Sequence, residues 1–452
     1  MEYTSFDEME RLFFRSKGFF ASGKTRSFSY RKKQLFSLLQ GIEAHKLEIY
    51  EALKADLNKS EWESFLTEVY LVKDEIRHMI RHLSSYGRRK KLLPGLAQIP
   101  GRLEIRKEPF GSVLIVSPWN YPFQLAMVPI VGAIAAGNSV IVKPSEFSPR
   151  VSLVLAKICE EALDPGLVSF VFGEAKEAEH LLSLPFDKIF FTGNPSVGKV
   201  VMERASQNLT PVTLELGGKS PAILHSSADV KESAKRIAFG KSMNAGQTCI
   251  APDYVLLPRE ILADFIGEIL LWFEEFFPSD TYFREYFGRM NHQGRFDRML
   301  ALAEGQSIRS LHDQIFYEES LQVFPCVVEN PSWDSQIMKE EIFGPLLPVL
   351  PYDSEEELFD LFRDKEKPLA LYLFGKDRNF FEEAMNRIDS GGVCINDTLL
   401  HISSSKAPFG GVGNSGMGQY HGKYSFEAFS RERTVLRKSW IFDVDVRYHP
   451  FG

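Results

Sequence analysis

The first ninety residues show the hydrophobic spacing of amphipathic helices. Four aliphatic side chains fall on one face at the 3.6-residue period of an α-helix: Leu35, Leu38, Leu39 and Ile42. Residues 61–82 continue in the same manner, with three glutamates among the apolar positions: Glu63, Glu68 and Glu75. We therefore predict that residues 5–90 are mainly helical.

From Gly111 onward, short apolar runs alternate with helical patterns, which is typical of βαβ units on a parallel sheet. The predicted strands are residues 112–116, 139–142, 168–172, 188–192 and 212–216. A second α/β series runs from residue 222 to about residue 396. Strand-like alternation also marks residues 101–106 and 433–446. The predicted fold class is therefore α/β.

Residues 111–142 carry no charged side chain and are long enough to cross a bilayer. Three prolines and two asparagines interrupt them: Pro118, Pro122, Pro129, Asn120 and Asn138. Because a single membrane-spanning helix would not tolerate these interruptions, we predict no membrane span. The segment should instead form a strand, an apolar helix over residues 125–136 and a second strand. The first residues lack a signal-peptide pattern, and residues 447–452 show no hydrophobic anchor.

The composition is ordinary for a soluble globular protein. With 452 residues, the chain is long enough for two or three domains. A net charge of -7 and a single short basic run, residues 88–91, argue against a nucleic-acid partner. Four cysteines without regular spacing predict a reducing, cytoplasmic setting, and no Cys-x-x-Cys pair suggests a metal site.

One of the four cysteines has a distinctive setting. Cys159 lies in a helical pattern, and Cys326 and Cys394 lie in strand-like runs, so we interpret these three as small core residues. Cys249 instead follows Asn-Ala-Gly-Gln-Thr and precedes Ile-Ala-Pro, among small and polar residues. A thiol in that setting is accessible, which makes Cys249 a candidate nucleophile.

Two glycine patterns imitate nucleotide-binding motifs. Residues 193–199 fit a phosphate-binding P-loop until the next position, where Val200 replaces the Ser or Thr that binds magnesium. Gly411, Gly413 and Gly416 match the dinucleotide fingerprint as a string, but no βαβ unit follows them. The turn from Gly193 to Gly198 still joins a predicted strand to a helix. It is therefore either a binding site for an anion such as pyrophosphate or only a tight turn.

Several polar residues follow predicted strands, where ligands of open α/β sheets bind. Lys143 and Glu146 could address sugar hydroxyls, and Glu215, between two leucines, could be a general base whose pKa burial raises. Asn120 could donate to an oxyanion, and Glu341 begins a carboxylate–aromatic turn. Taken singly, each also has an ordinary structural explanation.

Together and in this order, these motifs resemble the aldehyde dehydrogenase superfamily over nearly the whole chain. The matching segments are residues 118–122, 143–146, 191–193, 215–219, 246–249, 341–345 and 408–411. Residues 250–254, Ile-Ala-Pro-Asp-Tyr, and an N-terminus that opens directly into helices resemble the class 3 branch, which acts on fatty and aromatic aldehydes.

The resemblance implies a role for each candidate residue. Cys249 attacks the aldehyde to give a thiohemiacetal and then a thioester, Asn120 helps to bind the oxyanion, and Glu215 activates water. On the cofactor side, the implied residues and their ligands are Lys143 and Glu146 for the adenosine ribose, the Gly193–Gly198 turn for the pyrophosphate, and Glu341 with Phe343 for the nicotinamide ribose. The implied cofactor is NAD, with NADP also accepted, and no metal is expected.

The resemblance also implies a domain arrangement and a homodimer. Residues 1–91 and 111–216, with part of 409–432, would form a Rossmann-type NAD(P)-binding domain, and residues 217–408 a catalytic α/β domain. Residues 92–110 and 433–442 would form a small β extension for oligomerisation. Two alternatives stay open: a cofactor-independent cysteine acyltransferase or hydrolase, and a noncatalytic dinucleotide-binding protein.

Overall fold

The structure is a computed structural model and describes residues 2–442 and 448–449. Up to residue 216 its elements are α1 (Phe6–Ala21), α2 (Phe28–Ala44), α3 (Lys46–Leu57), α4 (Glu61–Ser64), α5 (Tyr70–Tyr86), β1 (Lys90–Leu92), β2 (Gly101–Pro109), β3 (Ser112–Val116), α6 (Gln124–Ala136), β4 (Ser139–Lys143), α7 (Pro149–Ala162), β5 (Val168–Phe170), α8 (Ala175–Ser183), β6 (Lys188–Gly193), α9 (Pro195–Gln207) and β7 (Val212–Leu216). The predicted helical N-terminus is confirmed.

The elements after residue 216 form the second α/β series and the return of the chain. They are β8 (Pro221–Leu224), α10 (Val230–Ser242), β9 (Tyr254–Pro258), α11 (Leu262–Phe276), α12 (Asp280–Tyr286), α13 (Gln293–Ala303), β10 (Ile308–Arg309), β11 (Phe316–Tyr317), β12 (Gln322–Val323), β13 (Cys326–Glu329), α14 (Gln336–Lys339), β14 (Leu346–Tyr352), α15 (Glu355–Phe362), β15 (Ala370–Phe374), α16 (Arg378–Arg387), β16 (Gly392–Ile395), β17 (Gly416–Met417), α17 (Lys423–Ala428) and β18 (Ser430–Lys438).

The first sheet has the strand order β17-β7-β6-β3-β4-β5 and is parallel except for β17. Alternate residues of its strands enter different cores. Val113 and Ile115 pack with helices α2, α5 and α6, whereas Leu114 packs with α1, α8 and α9. Burial on both faces explains why these strands read as continuous apolar runs.

The chain reverses its direction across this sheet between β3 and β6. It runs from β3 outward to β4 and β5 and then returns to the other side of β3. A crevice therefore opens beyond the carboxyl ends of β3 and β6, which is where ligands of open α/β sheets bind.

The second sheet has the order β10-β13-β14-β9-β8-β15-β16 and is parallel except for β10. Its side chains form the largest hydrophobic core, with Tyr254, Leu346 and Tyr372 fully or almost fully buried. Cys249 lies in the connection from α10 to β9, which is the middle strand of this sheet.

A third sheet, β1-β2-β18, is antiparallel. β18 pairs with all of β2, from Ser430 opposite Pro109 to Lys438 opposite Gly101. The strand predicted at residues 101–106 is confirmed and extends to Pro109. The strand predicted at residues 433–446 starts earlier, at Ser430, and ends at Lys438. The last predicted residues of that strand, 443–446, lie outside the described residues. Residues 447 and 450–452, where we predicted no hydrophobic anchor, lie outside them as well.

Three local predictions need correction. The strand predicted at residues 168–172 ends at Phe170, because the Phe172 backbone pairs with Thr4 instead of a strand. The run around Cys326 is broken by Pro325, which has no N–H for a sheet. Cys159 and Cys326 are buried, but Cys394 is only half-buried because β16 is an edge strand.

The uncharged segment of residues 111–142 folds as predicted, into β3, α6 and β4. Across residues 2–442 and 448–449, the structure contains no helix that is both long and apolar enough to cross a membrane.

Candidate active site

A left-handed bend presents the candidate nucleophile. Three consecutive residues after α10 have positive φ angles: Asn244 (52°), Ala245 (54°) and Gly246 (72°). Such angles are uncommon outside glycine and mark strained functional segments. At Gly246 a Cβ atom would lie 2.3 Å from the Gly344 carbonyl oxygen, so only glycine fits. After the bend, the Gln247 carbonyl and the Thr248 hydroxyl form hydrogen bonds with Asn120 and Tyr121, in the loop that follows β3.

The Cys249 thiol is half-buried and its environment disfavours the thiolate. Burial is the main cause that raises its pKa, and the carboxylates of Glu341 and Glu215 raise it further. The backbone N–H groups of Cys249 and Ile250 act in the opposite direction but more weakly. At neutral pH Cys249 is therefore a thiol, and attack on a carbonyl requires a group that takes its proton.

Glu215 has the properties of such a base. It lies near the carboxyl end of β7, opposite Gly416 of β17, and is only 3% exposed. Neither of its carboxylate oxygens has a hydrogen-bond partner among the described residues. Burial raises its pKa well above the usual range of a glutamate, as predicted from its two leucine neighbours. A buried carboxyl without partners is unusual and points to a substrate or water contact.

Asn120 lies in the loop after β3 and is hydrogen-bonded to residues 244–249, which we call the nucleophile segment. Its side-chain Nδ2 donates to the Gln247 carbonyl at 3.0 Å. In return, the side chain of Asn244 donates to the Asn120 carbonyl at 2.7 Å. Next to it, the hydroxyls of Tyr121 and Thr248 are hydrogen-bonded at 2.6 Å. The fold thus brings Asn120 to the residues just before Cys249, although 127 positions separate it from Gln247 in the sequence.

Glu341 lies against the glycine turn that follows Glu215. A Cβ atom on Gly217 would be 2.1 Å from Glu341 Oε2, and the Gly218 N–H stabilises the ionised carboxylate. Burial, assisted by Asp253, nevertheless raises the pKa of Glu341 to about 8. Phe343 has a φ of 52° and packs edge-on to the Trp119 ring at 5.5 Å.

Lys143 and Glu146 form an ion pair at the carboxyl end of β4, beside the crevice. Lys143 is buried, and its Nζ lies 2.7 Å from Glu146 Oε2. The pair therefore lies at the strand end where the sequence predicts a sugar-binding contact.

The glycine turn after β6 divides into two parts with different environments. Gly193 ends β6, and Asn194 caps α9 by accepting the Val197 N–H at 2.9 Å. Gly198 faces the protein interior, because a Cβ atom there would lie 2.8 Å from Leu216. Its missing side chain therefore allows α9 to pack closely on β7.

These residues fit a dinucleotide cofactor. The crevice between β3 and β6, the ion pair beside it and the start of α9 provide partners for ribose and phosphate groups. Thr192 at the end of β6 has a buried Oγ1 without a hydrogen-bond partner in the described part of the chain. Because Thr192 lies at the carboxyl end of β6, its hydroxyl is available to a ligand at that end of the sheet.

Three further residues of the site had no predicted role: Tyr121, Thr248 and Lys59. Tyr121 and Thr248 lie within the matching segments of the sequence, whereas Lys59 lies outside them. Lys59 is completely buried and donates to the Asn120 carbonyl at 3.1 Å. The only sequence signal was a set of glutamates at apolar positions of a helical pattern. Such a pattern indicates buried carboxylates that need a buried cation.

Comparison with known proteins agrees with this geometry. The family model described as "Aldehyde dehydrogenase family" matches residues 5–435. The Arabidopsis thaliana protein named "Aldehyde dehydrogenase family 3 member H1" is 41% identical over 96% of this chain and 90% of its own length. "Aldehyde dehydrogenase, dimeric NADP-preferring" of Canis lupus familiaris is 40% identical over 96% of both chains.

A solved structure is similar over almost its entire length. It is described as the substrate-bound state of Staphylococcus aureus AldH, is 40% identical, and superimposes with a TM-score of 0.94 over 98% of this chain and 96% of that one. The predicted α/β fold is thereby confirmed. The chain belongs to the aldehyde dehydrogenase family, in the branch of its class 3 members.

Proposed function

We propose that this NAD(P)-dependent aldehyde dehydrogenase acts through Cys249, with Glu215 as base and Asn120 as oxyanion donor. The observation that carries the proposal is the convergence of three groups: the half-buried thiol of Cys249, the buried and unpartnered carboxyl of Glu215 that raises the pKa of this thiol, and the Asn120 amide, which donates to the Gln247 carbonyl two residues before Cys249. Oxidation of aldehydes with NAD(P) is the activity that family membership assigns to this chain.

In the proposed first step, the Cys249 sulfur bonds to the aldehyde carbon. Because the pKa of Cys249 is raised, its proton has to leave as the bond forms, and the Glu215 carboxylate is the acceptor. The resulting thiohemiacetal oxygen is negatively charged. The Asn120 amide and the Cys249 backbone N–H would donate hydrogen bonds to it.

When bound, the nicotinamide cofactor supplies the hydride acceptor for the oxidation. The residues that would hold it are Lys143 and Glu146 at the adenosine ribose, Gly193 and the start of α9 at the pyrophosphate, and Glu341 beside Phe343 at the nicotinamide ribose. Once Glu215 has passed the first proton to solvent, it would take a second one from water, which attacks the Cys249 thioester and releases the acid and the Cys249 thiolate.

We further propose that NAD is preferred and NADP accepted. The Glu146 carboxylate repels a 2′-phosphate, whereas Lys143, 2.7 Å away, offsets part of its charge. For the substrate, resemblance to the class 3 branch favours medium-chain or long-chain aliphatic and aromatic aldehydes. A steady-state panel of such aldehydes with each cofactor measures both preferences.

The central test replaces the nucleophile. Cys249→Ala should abolish NADH formation from every aldehyde of the panel, while the fold and NAD binding persist. Survival of that activity would contradict the proposal. The comparisons do not favour the cofactor-independent acyltransferase alternative. A rise in melting temperature on addition of NAD would exclude it directly, because ligand that binds only the folded state stabilises it.

The remaining assignments are proposals about organisation. We propose the domain boundaries given by the resemblance, with residues 92–110 and 433–442 as an oligomerisation extension of a homodimer. The antiparallel sheet of β1, β2 and β18 supports that assignment. We also propose a cytoplasmic location, since a catalytic thiol needs a reducing compartment and the described structure forms no disulfide.

A further inference from the structure

An ion pair lies completely buried beneath the nucleophile segment. Lys59 Nζ is 2.5 Å from Glu68 Oε1, and neither side chain has any solvent exposure. Burying two charges is costly unless their remaining hydrogen-bonding groups are also satisfied. The partners of this pair therefore indicate what it holds in place.

Lys59 directs its ammonium group at the loop that carries Asn120. Besides the bond to Glu68, it donates to the Asn120 backbone carbonyl at 3.1 Å. It also lies 3.8 Å above the centre of the Tyr121 ring. Two of the three contacts of the cation thus fix consecutive residues of that loop, Asn120 and Tyr121.

Glu68 holds two residues at the end of the same loop. Its Oε2 accepts the backbone N–H groups of Phe123 at 3.0 Å and Gln124 at 2.9 Å, where α6 begins. These are donors that a helix start leaves unpaired. Glu68 itself lies in a π-helical turn, residues Phe65–Val69, and such turns occur frequently at functional sites.

The loop held by this pair is also bonded to the nucleophile segment. The Asn120 carbonyl accepts a second hydrogen bond from Asn244, and the Tyr121 hydroxyl bonds Thr248, the residue before Cys249. Another carboxylate of the same helical region, the half-buried Glu63, accepts the Asn244 backbone N–H at 2.7 Å. One continuous set of bonds therefore runs from the ion pair to both sides of the proposed oxyanion site.

We infer that Lys59 and Glu68 are positioning residues, which orient the Asn120 amide towards the oxyanion formed at Cys249. The inference rests on the proposed function, because it assigns the pair to the oxyanion contact of that reaction. Neither residue needs to touch the substrate. Since oxyanion donors work only when pre-oriented to within a fraction of an ångström, loosening the loop lowers the rate of chemistry without removing the nucleophile.

Two reactions of Cys249 separate positioning from structural support. Hydrolysis of a p-nitrophenyl ester by a thiol passes through a tetrahedral oxyanion, as aldehyde attack does. Alkylation by iodoacetamide displaces iodide at a saturated carbon and forms no such oxyanion. A variant that has lost only the orientation of Asn120 should therefore be slow in the first reaction and normal in the second.

The test variant is Lys59→Met with Glu68→Gln, which removes both charges but leaves an acceptor for the N–H groups of Phe123 and Gln124. We expect kcat for the ester and for aldehyde oxidation to fall at least about tenfold. The alkylation rate and the Kd for NAD should change less than about twofold. Glu75→Gln is the matched control: Glu75 is another buried carboxylate of the same helical region, but it binds the Gly422 backbone N–H instead.

Equal losses in alkylation and turnover would overturn the inference, because they would mean that the pair only supports the fold. Unchanged turnover would overturn it as well. If the double variant does not fold, Glu68→Asp keeps both charges and shortens the carboxylate by one methylene, which weakens its bonds to the Phe123 and Gln124 N–H groups, and the same ratio of ester turnover to alkylation decides. Absence of NADH formation in the wild type would contradict the proposed function only. The positioning role would still be decided by ester hydrolysis and alkylation, since neither reaction needs a cofactor.

Discussion

Three ionisable side chains share the candidate site, Cys249, Glu215 and Glu341, and burial disfavours the charged form of each. The ionised forms also repel one another, because the negative charges of both carboxylates raise the pKa of the thiol. The site therefore tolerates few negative charges at once. A proton that leaves Cys249 has to be taken up nearby, which couples the chemistry of the thiol to that of Glu215.

The coupling predicts a pH dependence for the reactivity of Cys249. Glu341 has a pKa of about 8, so it is mostly neutral below that pH and raises the thiol pKa mainly above it. Glu341→Gln removes that charge. We expect equal iodoacetamide alkylation rates for variant and wild type well below pH 8, and a faster variant above it, because more of its Cys249 is thiolate.

The control for this experiment is the neighbouring carboxylate. Glu340 is exposed and lies within reach of the Arg298 guanidinium, so Glu340→Gln should leave the pH profile of alkylation unchanged. A slower Glu341→Gln enzyme above pH 8 would contradict the sign of the predicted effect.

Removal of Glu215 should slow both halves of the reaction, because Glu215 is the proposed acceptor of the Cys249 proton and the base that activates water. In Glu215→Gln, steady-state turnover should fall at least about 100-fold. Stopped-flow traces should also show a slowed first turnover, because no carboxylate takes up the Cys249 proton as the bond to the aldehyde forms. A rapid first turnover of about one NADH per active site, followed by a slow steady rate, would contradict the role of Glu215 in the first step.

At the scale of elements, the strands were easier to predict than the bend that carries the nucleophile. β3 and β7 begin and end at the predicted residues, because strands buried on both faces are apolar runs with polar ends. The bend at Asn244 and Ala245 has no such signal. Only Gly246 indicates a special φ, and the two residues before it are held there by contacts with distant segments.

The bend itself can be tested at Gly246. An added Cβ would meet the Gly344 carbonyl at 2.3 Å and would have to adopt a φ of 72°. We expect Gly246→Ala to lower the free energy of unfolding by about 1–3 kcal/mol or more, because of backbone strain. Its kcat should fall at least about tenfold, because Cys249 is displaced. Thermal unfolding and steady-state kinetics measure the two effects.

Gly267→Ala provides the comparison for that variant. Gly267 lies within α11, and a Cβ there would meet no atom within 4 Å. The change should be neutral or stabilise by about 0.5–1 kcal/mol, as alanine does in a helix, without effect on kcat. If Gly246→Ala behaved in the same way, the bend would not be needed to present Cys249.

At the scale of the whole molecule, contacts between distant segments are what the sequence could not supply. Asn120 is predicted as an oxyanion donor from its apolar setting, but its support by Lys59 joins loops 61 positions apart. Glu68 is visible in the sequence only as a polar residue at an apolar position. The pairing of β2 with β18 joins segments more than 300 positions apart, and only the family resemblance suggested it.

The third sheet leads to a prediction about assembly. Ser439 donates to the Pro100 carbonyl at 3.1 Å, which places the residues after β18 beside those before β2. Large apolar side chains on these two segments are almost fully exposed: Leu96 at 90%, Trp440 at 102% and Ile441 at 96%. An exposed apolar cluster of this kind marks an interface, so we expect a second copy of the chain to cover it in the proposed homodimer.

Replacing two of these side chains should therefore separate the protomers. We expect wild type to sediment as a dimer and the Leu96→Ser, Ile441→Ser variant as a monomer, with its secondary structure intact, because the substitutions remove apolar area that only the partner covers. The control is Phe14→Ser with Leu47→Ser, which removes two exposed apolar side chains from helices α1 and α3. It should remain dimeric. A dimeric Leu96→Ser, Ile441→Ser variant would mean that the third sheet does not form the interface, and a monomeric wild type would exclude the homodimer itself.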